Sequence, residues 1–301
     1  MTAQRIYMAG SGGMLGEAFH AVFGERHDLR CTDKDVNADW LSFLDFRDFA
    51  AYREDVAAFR PDLLFHLGAH TSLEYCEEQP DDAYATNTLA VENAVHIANE
   101  LGIPLLYIST AGIFDGAQDT YDDWDQPNPL GHYARSKYLG ELFVTQNCRQ
   151  HLVCRAGWMM GGGPAKDKKF IQKLMAQLKE GRRELHVVDD KLGTPTYTLD
   201  FARNVELLLQ HRLWGTYNLV CDGVTSRLEV ARHLVETLGL AETVAIEPVS
   251  SDFFAGEFYA PRPASERLIP RKLKLRGLYR MRDWRTCLSE YVAERYQGYL
   301  D

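Results

Sequence analysis

Basic residues are in short supply. The 301-residue chain carries 33 Lys and Arg against 43 Asp and Glu, a formal charge of −10 at pH 7. Such a surface has no general attraction for nucleic acid or anionic membranes, and leaves room only for a local basic pocket around a phosphate. One lysine cluster exists, Lys166, Lys168, Lys169, Lys173 and Lys179, and reads as a solvated helix face. No apolar run approaches 18 residues, so no membrane-spanning helix is expected. The start, MTAQRIYMAG, lacks a charged segment followed by an apolar one. The six cysteines, Cys31, Cys76, Cys148, Cys154, Cys221 and Cys287, form no C-x-x-C and no Cys/His spacing suited to a metal. They read as small core residues. Internal repeats and low-complexity linkers are also missing. What remains is a soluble cytoplasmic chain, ordinary at 46% hydrophobic and 25% charged residues. Its length suits one large domain or a domain with a smaller companion.

What is present is an alternation. Short β-rich runs (RIYMAG, DLRCTD, DLLFHLGA, PLLYIST, HLVCRAG) are separated by segments of helical period. The latter include GMLGEAFHAVFG, RDFAAYREDVAAF, the long PDDAYATNTLAVENAVHIANELG and HYARSKYLGELFVTQN. This rhythm specifies parallel βαβ units with right-handed crossovers, an α/β doubly wound sheet of Rossmann type. The rhythm loosens after about residue 157. Residues 1–157 then form the dinucleotide-binding domain, with 195–221 returning to its sheet. Residues 158–194 and 222–301 form a smaller α/β lobe over the sheet's carboxyl edge, with a ligand cleft between the two.

YMAGSGGMLGEAF places Gly10, Gly13 and Gly16 directly after the first strand and at the opening of the first helix. Glycine there permits a tight turn and close approach of a pyrophosphate. The helix start, with Met14 and Leu15, adds free N–H groups and a partial positive charge. Asp33, at the end of the second strand, is suited to accept from the adenosine ribose hydroxyls and to repel a 2′-phosphate. That favours NADH slightly within NAD(P)H, and the neighbouring Lys34 blunts the preference. Asp45, next to Phe46, is suited either to the adenine amino group or to a helix N-cap.

HYARSKYLGE sets Tyr133 and Lys137 at i and i+4, on one face of a helix. This pair follows the buried strand that ends at Ser109 and Thr110. A free phenol titrates near 10 and shuttles protons poorly at neutral pH. An ammonium ~4 Å away, at an effective dielectric of ~20, supplies ~4 kcal/mol or about three pKa units. The bland alternative pairs Lys137 with Glu141 and leaves Tyr133 exposed.

The order of glycine loop, strand-end Ser/Thr and Tyr-x-x-x-Lys resembles the extended short-chain dehydrogenase/reductases. Within them the chain is most similar to the dTDP-4-dehydrorhamnose reductase group, over nearly its whole length. GSGGMLG, HLGAHTSLEYCE with Asn87, and TYDDWDQPNPLGHYARSK (Tyr121, Asp123, Asp125, Pro129, Tyr133, Lys137) match the group in order. RAGWMMG (Arg155, Trp158, Gly161), DDKLGTPT (Asp190, Gly193, Pro195, Thr196) and RPASERL (Arg262, Pro263, Leu268) follow. The resemblance implies reduction of the 4-keto group of a nucleotide-activated deoxysugar by NAD(P)H. Thr110 would bond the keto oxygen, Tyr133 would give it a proton, and Lys137 would hold the nicotinamide ribose. Gly68, Ala69, His70 and Asn87 would lie against the cofactor. Ala111, Trp158 and Arg262 would face the sugar nucleotide, and His70 and His132 are left as lining. No metal is expected, and a homodimer is compatible with the group. Two other outcomes stay open: a nucleotide-sugar epimerase or dehydratase, and a non-catalytic NAD(P)-binding regulatory subunit.

The chain departs from the group where STAGIFDG puts Ala111 and Gly112 in place of Asp and Tyr. Ala134 replaces a Gly, and Lys169 stands where Asn is common. Loss of a carboxylate and a phenol predicts a wider, less polar sugar pocket. Such a pocket would prefer a bulkier sugar, for instance an acetamido one, over dTDP-4-dehydrorhamnose.

Overall fold

A computed structural model describes residues 3–300. Its strands in chain order begin with β1 (Arg5–Ala9), β2 (Asp28–Asp33), β3 (Leu41–Phe43), β4 (Leu63–His66), β5 (Leu105–Thr110) and β6 (His151–Ala156). The short strands β7 (Trp158–Met160), β8 (Glu184–Val188), β9 (Leu192–Gly193) and β10 (Pro195–Tyr197) follow, and then β11 (Gly215–Asn218). β12 (Thr225–Ser226) and β13 (Ala245–Val249) complete the set. Seven of them form one parallel sheet in the order β11-β6-β5-β4-β1-β2-β3. The strand β3, only LSF, is too short for its pattern to announce it.

Side-chain alternation builds the two faces. From β1, Ile6 and Met8 join one core with Phe19, Phe65 and Phe201, while Tyr7 and Ala9 join the other with Tyr52, Val95 and Tyr107. Helices cover both faces, so β4 and the first five residues of β5 are buried throughout. Succession runs from β1 to β2 and β3 on one side and resumes with β4 and β5 on the other. The switch falls between β1 and β4, and their carboxyl ends open the crevice where such sheets take ligands.

The long helix read from PDDAYATNTLAVENAVHIANELG is broken. It comprises Pro80–Tyr84, a π-helical turn over Ala85–Leu89, and Ala90–Leu101. The wide turn turns Asn87 inward, fully buried, with its amide bonded to the main chain of His70. A π-turn of this kind commonly marks a functional position.

The remaining strands pair outside the main sheet, β7 with β10, β8 with β13 and β9 with β12. The helix Arg227–Thr237 starts from a Ser226/Glu229 capping box, and Trp284–Arg295 from an Asp283 cap.

Glu141 does not pair with Lys137. It lies on the helix His132–Asn147 and takes the Arg155 guanidinium of β6 at 2.5 Å, with both side chains buried. Arg155→Leu leaves that carboxylate buried and alone, an expected loss of about 3–5 kcal/mol. Urea unfolding measures it, and replacing both partners with apolar residues should recover much of the loss.

Candidate active site

The glycine loop is shaped by close approach. Gly10 has φ +77°, and a Cβ there would lie 2.2 Å from Gly68 Cα, so the ends of β1 and β4 meet where only glycine fits. A Cβ on Gly16 would lie 2.1 Å from Ser11 O. At Gly13, the N-cap of the helix Met14–Phe23, nothing stands within 4 Å of that position. No side chain caps this helix. Its first amides therefore face an open, small-residue approach, which is what a dinucleotide pyrophosphate requires.

Asp33 sits at the tip of β2 and ties down the loop. Its carboxylate accepts from Gly12 N at 2.8 Å and from Asp35 N at 2.9 Å. Asp45 is committed differently from either expectation. Arg47 donates to both of its oxygens, which lowers its pKa, and the helix cap falls to Asp48, which accepts from Ala51 N. The Phe46 ring covers Gly68, where a Cβ would stand 2.2 Å from Cε1. Asn87 Oδ1 accepts from His70 N at 2.8 Å and Nδ2 donates to His70 O at 3.0 Å, which fixes the Gly68–His70 turn.

Tyr133 and Lys137 lie on the helix His132–Asn147, whose start is anchored by Glu77. Glu77 Oε1 accepts from His132 N at 2.6 Å and brings negative charge to the helix N-terminus. Thr110 ends β5, its Oγ1 accepting from Gly112 N at 3.1 Å. Thr110 Oγ1 and the Tyr133 ring both border Gly112, where a Cβ would stand 3.5 Å and 3.7 Å from them. Lys137 is 4% exposed, and its Nζ donates to Ile108 O at 2.7 Å and lies 4.2 Å above the Tyr107 ring.

The electrostatics differ from the sequence argument. Burial pushes the Tyr133 phenol up to about 12, against a lowering by Thr110, and Glu266 and Cys76 raise it further. Burial pushes the Lys137 ammonium down to about 7, with Glu141 opposing. Residues four apart share a helix face, but the long Lys137 chain runs to the backbone of β5. Desolvation is the leading cause of both shifts, and neither group appears among the charges that move the other.

The sugar-facing expectations divide. Ala111 is 1% exposed and packs with Ile113, Phe114, Tyr121 and Leu268, so it is a core residue and not a pocket wall. Trp158 does border the site, its Nε1 donating to Glu266 Oε2 at 2.6 Å. Arg262 is occupied, Nη2 pairing with Glu74 at 2.6 Å and Nη1 donating to Ala260 O. Lys169 is not on a solvated face; its Nζ donates to Thr71 Oγ1 at 2.8 Å, and burial lowers its pKa to about 8. Two residues escaped sequence reasoning. Arg227 stacks over Trp158 at 3.7 Å and Phe170 at 4.8 Å, with no salt bridge among the described residues and the Glu266 charge acting on it from nearby. Glu266 reaches beside Gly112, bringing a carboxylate within 3.3 Å of the position a Cβ would take there. The site is thus not apolar there.

Among the described residues, no group of three or more His, Cys, Asp or Glu side chains is placed to hold a metal, and no helix is long and apolar enough to cross a membrane.

The family model of the RmlD substrate binding domain matches residues 4–297. The chain is 31% identical to dTDP-4-dehydrorhamnose reductase of Mycobacterium tuberculosis over 297 residues, covering 97% of this chain and 93% of that one. It is 30% identical to the spore coat polysaccharide biosynthesis protein SpsK of Bacillus subtilis, covering 97% and 98%. Its fold superposes on dTDP-4-dehydrorhamnose reductase from Bacillus anthracis in complex with NADP, with TM-score 0.88, 28% identity and coverage of 97% and 99%. With the glycine cradle, the Thr110, Tyr133 and Lys137 constellation and these likenesses together, the chain belongs to the RmlD family of extended short-chain dehydrogenase/reductases.

Proposed function

We propose that the protein reduces the 4-keto group of a nucleotide-activated 6-deoxysugar with NAD(P)H, as a dTDP-4-dehydrorhamnose reductase would. The observation that carries this reading is the convergence of Thr110, Tyr133 and Lys137 at the carboxyl edge of β5, beside the Gly10/Gly68 opening. When bound, the cofactor supplies a hydride to the carbonyl carbon. Thr110 Oγ1 orients the carbonyl oxygen, and the Tyr133 hydroxyl delivers the proton as that oxygen gains charge. Lys137 holds the ribose and keeps a positive charge under the reacting centre. Segments 158–194 and 222–301 would carry the nucleotide sugar, with Trp158 and Arg227 as its borders. A substrate and cofactor of this kind place the reaction in the cytoplasm. The test mixes the protein with NADH or NADPH and a panel of 4-keto sugar nucleotides and follows the reduced-nicotinamide absorbance. Steady oxidation supports the reading. Product formation without net oxidation points to an epimerase, and tight cofactor binding without either points to a regulatory subunit.

Asp33 favours NADH within that activity, because its charge stands where a 2′-phosphate would approach. Asp33→Asn keeps an acceptor for Gly12 N while removing the charge. The ratio of kcat/KM for NADPH over NADH is expected to rise about tenfold, equivalent to roughly 1.4 kcal/mol of relieved repulsion. An unchanged ratio would remove Asp33 from cofactor selection.

A further inference from the structure

Resting on that reading, we propose that Glu266 is a specificity-determining residue. Its free oxygen, Oε1, accepts a hydrogen bond from a hydroxyl or amino group on the sugar carbon next to the reacting carbonyl. Nucleotide sugars with that donor are preferred over those without it.

The two oxygens of Glu266 have different surroundings. Oε2 takes the Trp158 Nε1 hydrogen at 2.6 Å. The indole is itself held in place: a Cβ on Gly193 would sit 2.2 Å from it, and the Arg227 guanidinium lies 3.7 Å from its centroid. The carboxylate is thereby oriented. Oε1 has no hydrogen-bond partner in the protein among the described residues, and it is turned toward the candidate catalytic groups. A Cβ on Gly112 would stand 3.3 Å from Glu266 Oε1, 3.5 Å from Thr110 Oγ1 and 3.7 Å from Tyr133 Cε1. The carboxylate, the proposed proton donor and the carbonyl ligand thus all border one small space. Glycine at 112 keeps it open.

Chemistry narrows what fills that space. A carbonyl oxygen within about 2.6–3.2 Å of Thr110 and Tyr133 brings the substituents of its neighbouring carbons to Oε1. In a 4-keto-6-deoxy sugar, C5 carries a methyl group and the ring oxygen, neither of which donates, so the donor is on C3. An ionised carboxylate only accepts, and a sugar lacking a donor leaves it unmatched in a half-buried pocket. Discrimination built on such a bond reaches several orders of magnitude in a fully enclosed site. The negative charge also helps keep the Tyr133 phenol high, and a donor bound to Oε1 offsets it.

The experiment uses dTDP-linked 6-deoxy-4-keto sugars with a hydroxyl, an amino group or only hydrogen at C3. Binding is measured by calorimetry with NADP+ present and turnover with NADPH, for the wild type, Glu266→Gln and Glu266→Ala. The wild type is expected to favour the C3 hydroxyl over C3 hydrogen by about 10²-fold, and Glu266→Ala to compress this to a few fold. The C3 amino sugar is expected to lose more than the hydroxyl sugar in Glu266→Gln, which lacks the charge. If Glu266→Ala weakens all three sugars equally, the residue only supports Trp158 and the proposal is overturned; it also falls if the wild type does not discriminate. Turnover without C3 discrimination defeats the Glu266 assignment alone. Discrimination in binding, lost in Glu266→Ala, without turnover of any ketone defeats the reductase reading alone.

Discussion

Tyr133→Phe is expected to lower kcat by 10²–10⁴-fold, the worth of a well-placed acid, while NAD(P)H affinity stays within a few fold. The substitution deletes one oxygen from the wall of the site and leaves the ring packing intact. Its proton is wanted only as the ketone becomes an alkoxide, so the loss should fall on kcat and not on cofactor binding. The phenol is held up at about 12 by burial, which keeps it protonated at neutral pH and in the form that reduction consumes. The rate of reduction should therefore be flat with respect to Tyr133 ionisation through pH 6–9. Single-turnover mixing with NADPH across that range checks both points. Retention of more than half the wild-type rate in Tyr133→Phe would take the residue out of the mechanism.

The parts of this molecule that could be read from the sequence are those whose constraint is local. Gly10, Gly13 and Gly16 answer to one turn and one helix start, so their spacing is visible within seven residues. The doubly wound sheet was legible because β4 and β5 lie between covered faces and must be apolar on both. Asn87 was placed against the cofactor segment only by resemblance; what holds it there, a π-turn gripping the His70 backbone, has no sequence period. Ala111 was misassigned because position within STAGIFDG does not say which side of a 3-10 turn faces the pocket.

The electrostatic and distant parts were not legible. Spacing put Tyr133 and Lys137 on one face correctly, but could not show that Lys137 ends against Ile108 O. Asp45, suited by its sequence position to the adenine amino group or a helix N-cap, instead holds Arg47, and Asp48 caps the helix. Glu266 meets Trp158 across 108 residues, and Arg227 finds the same ring from another segment. No motif spans such separations. A departure at Gly112 was readable, whereas the carboxylate beside it came from elsewhere in the chain.

Lys137→Met is expected to make the protein more heat-stable and inactive. Burial lowers the ammonium from an ordinary 10.5 to about 7. A group whose folded pKa lies below its unfolded value binds fewer protons when folded, so stability rises with pH between the two values. The cost of Lys137 is therefore full below pH 7, declines from pH 7 to about 10.5, and vanishes above. By linkage it is on the order of 4–5 kcal/mol. Loss of the bond to Ile108 O subtracts about 1–3 kcal/mol from what methionine recovers. The variant should melt several degrees higher than the wild type at pH 6–7, with the advantage shrinking steadily toward pH 10. Titrations shared by both proteins, such as those of the buried tyrosines, cancel in the difference. Cofactor binding should weaken strongly, because a ribose hydroxyl loses its ammonium donor. In the wild type, the ribose hydroxyls and carbonyl acceptors of the bound dinucleotide favour the charged lysine, so binding at pH 8 should take up a proton, measurable as a buffer-dependent enthalpy. Matching melting curves for the two proteins at every pH would show that Lys137 is not held at a depressed pKa. A gap that closes toward pH 10 would instead mark the lysine as a cost the fold carries for its chemistry, as active sites commonly do.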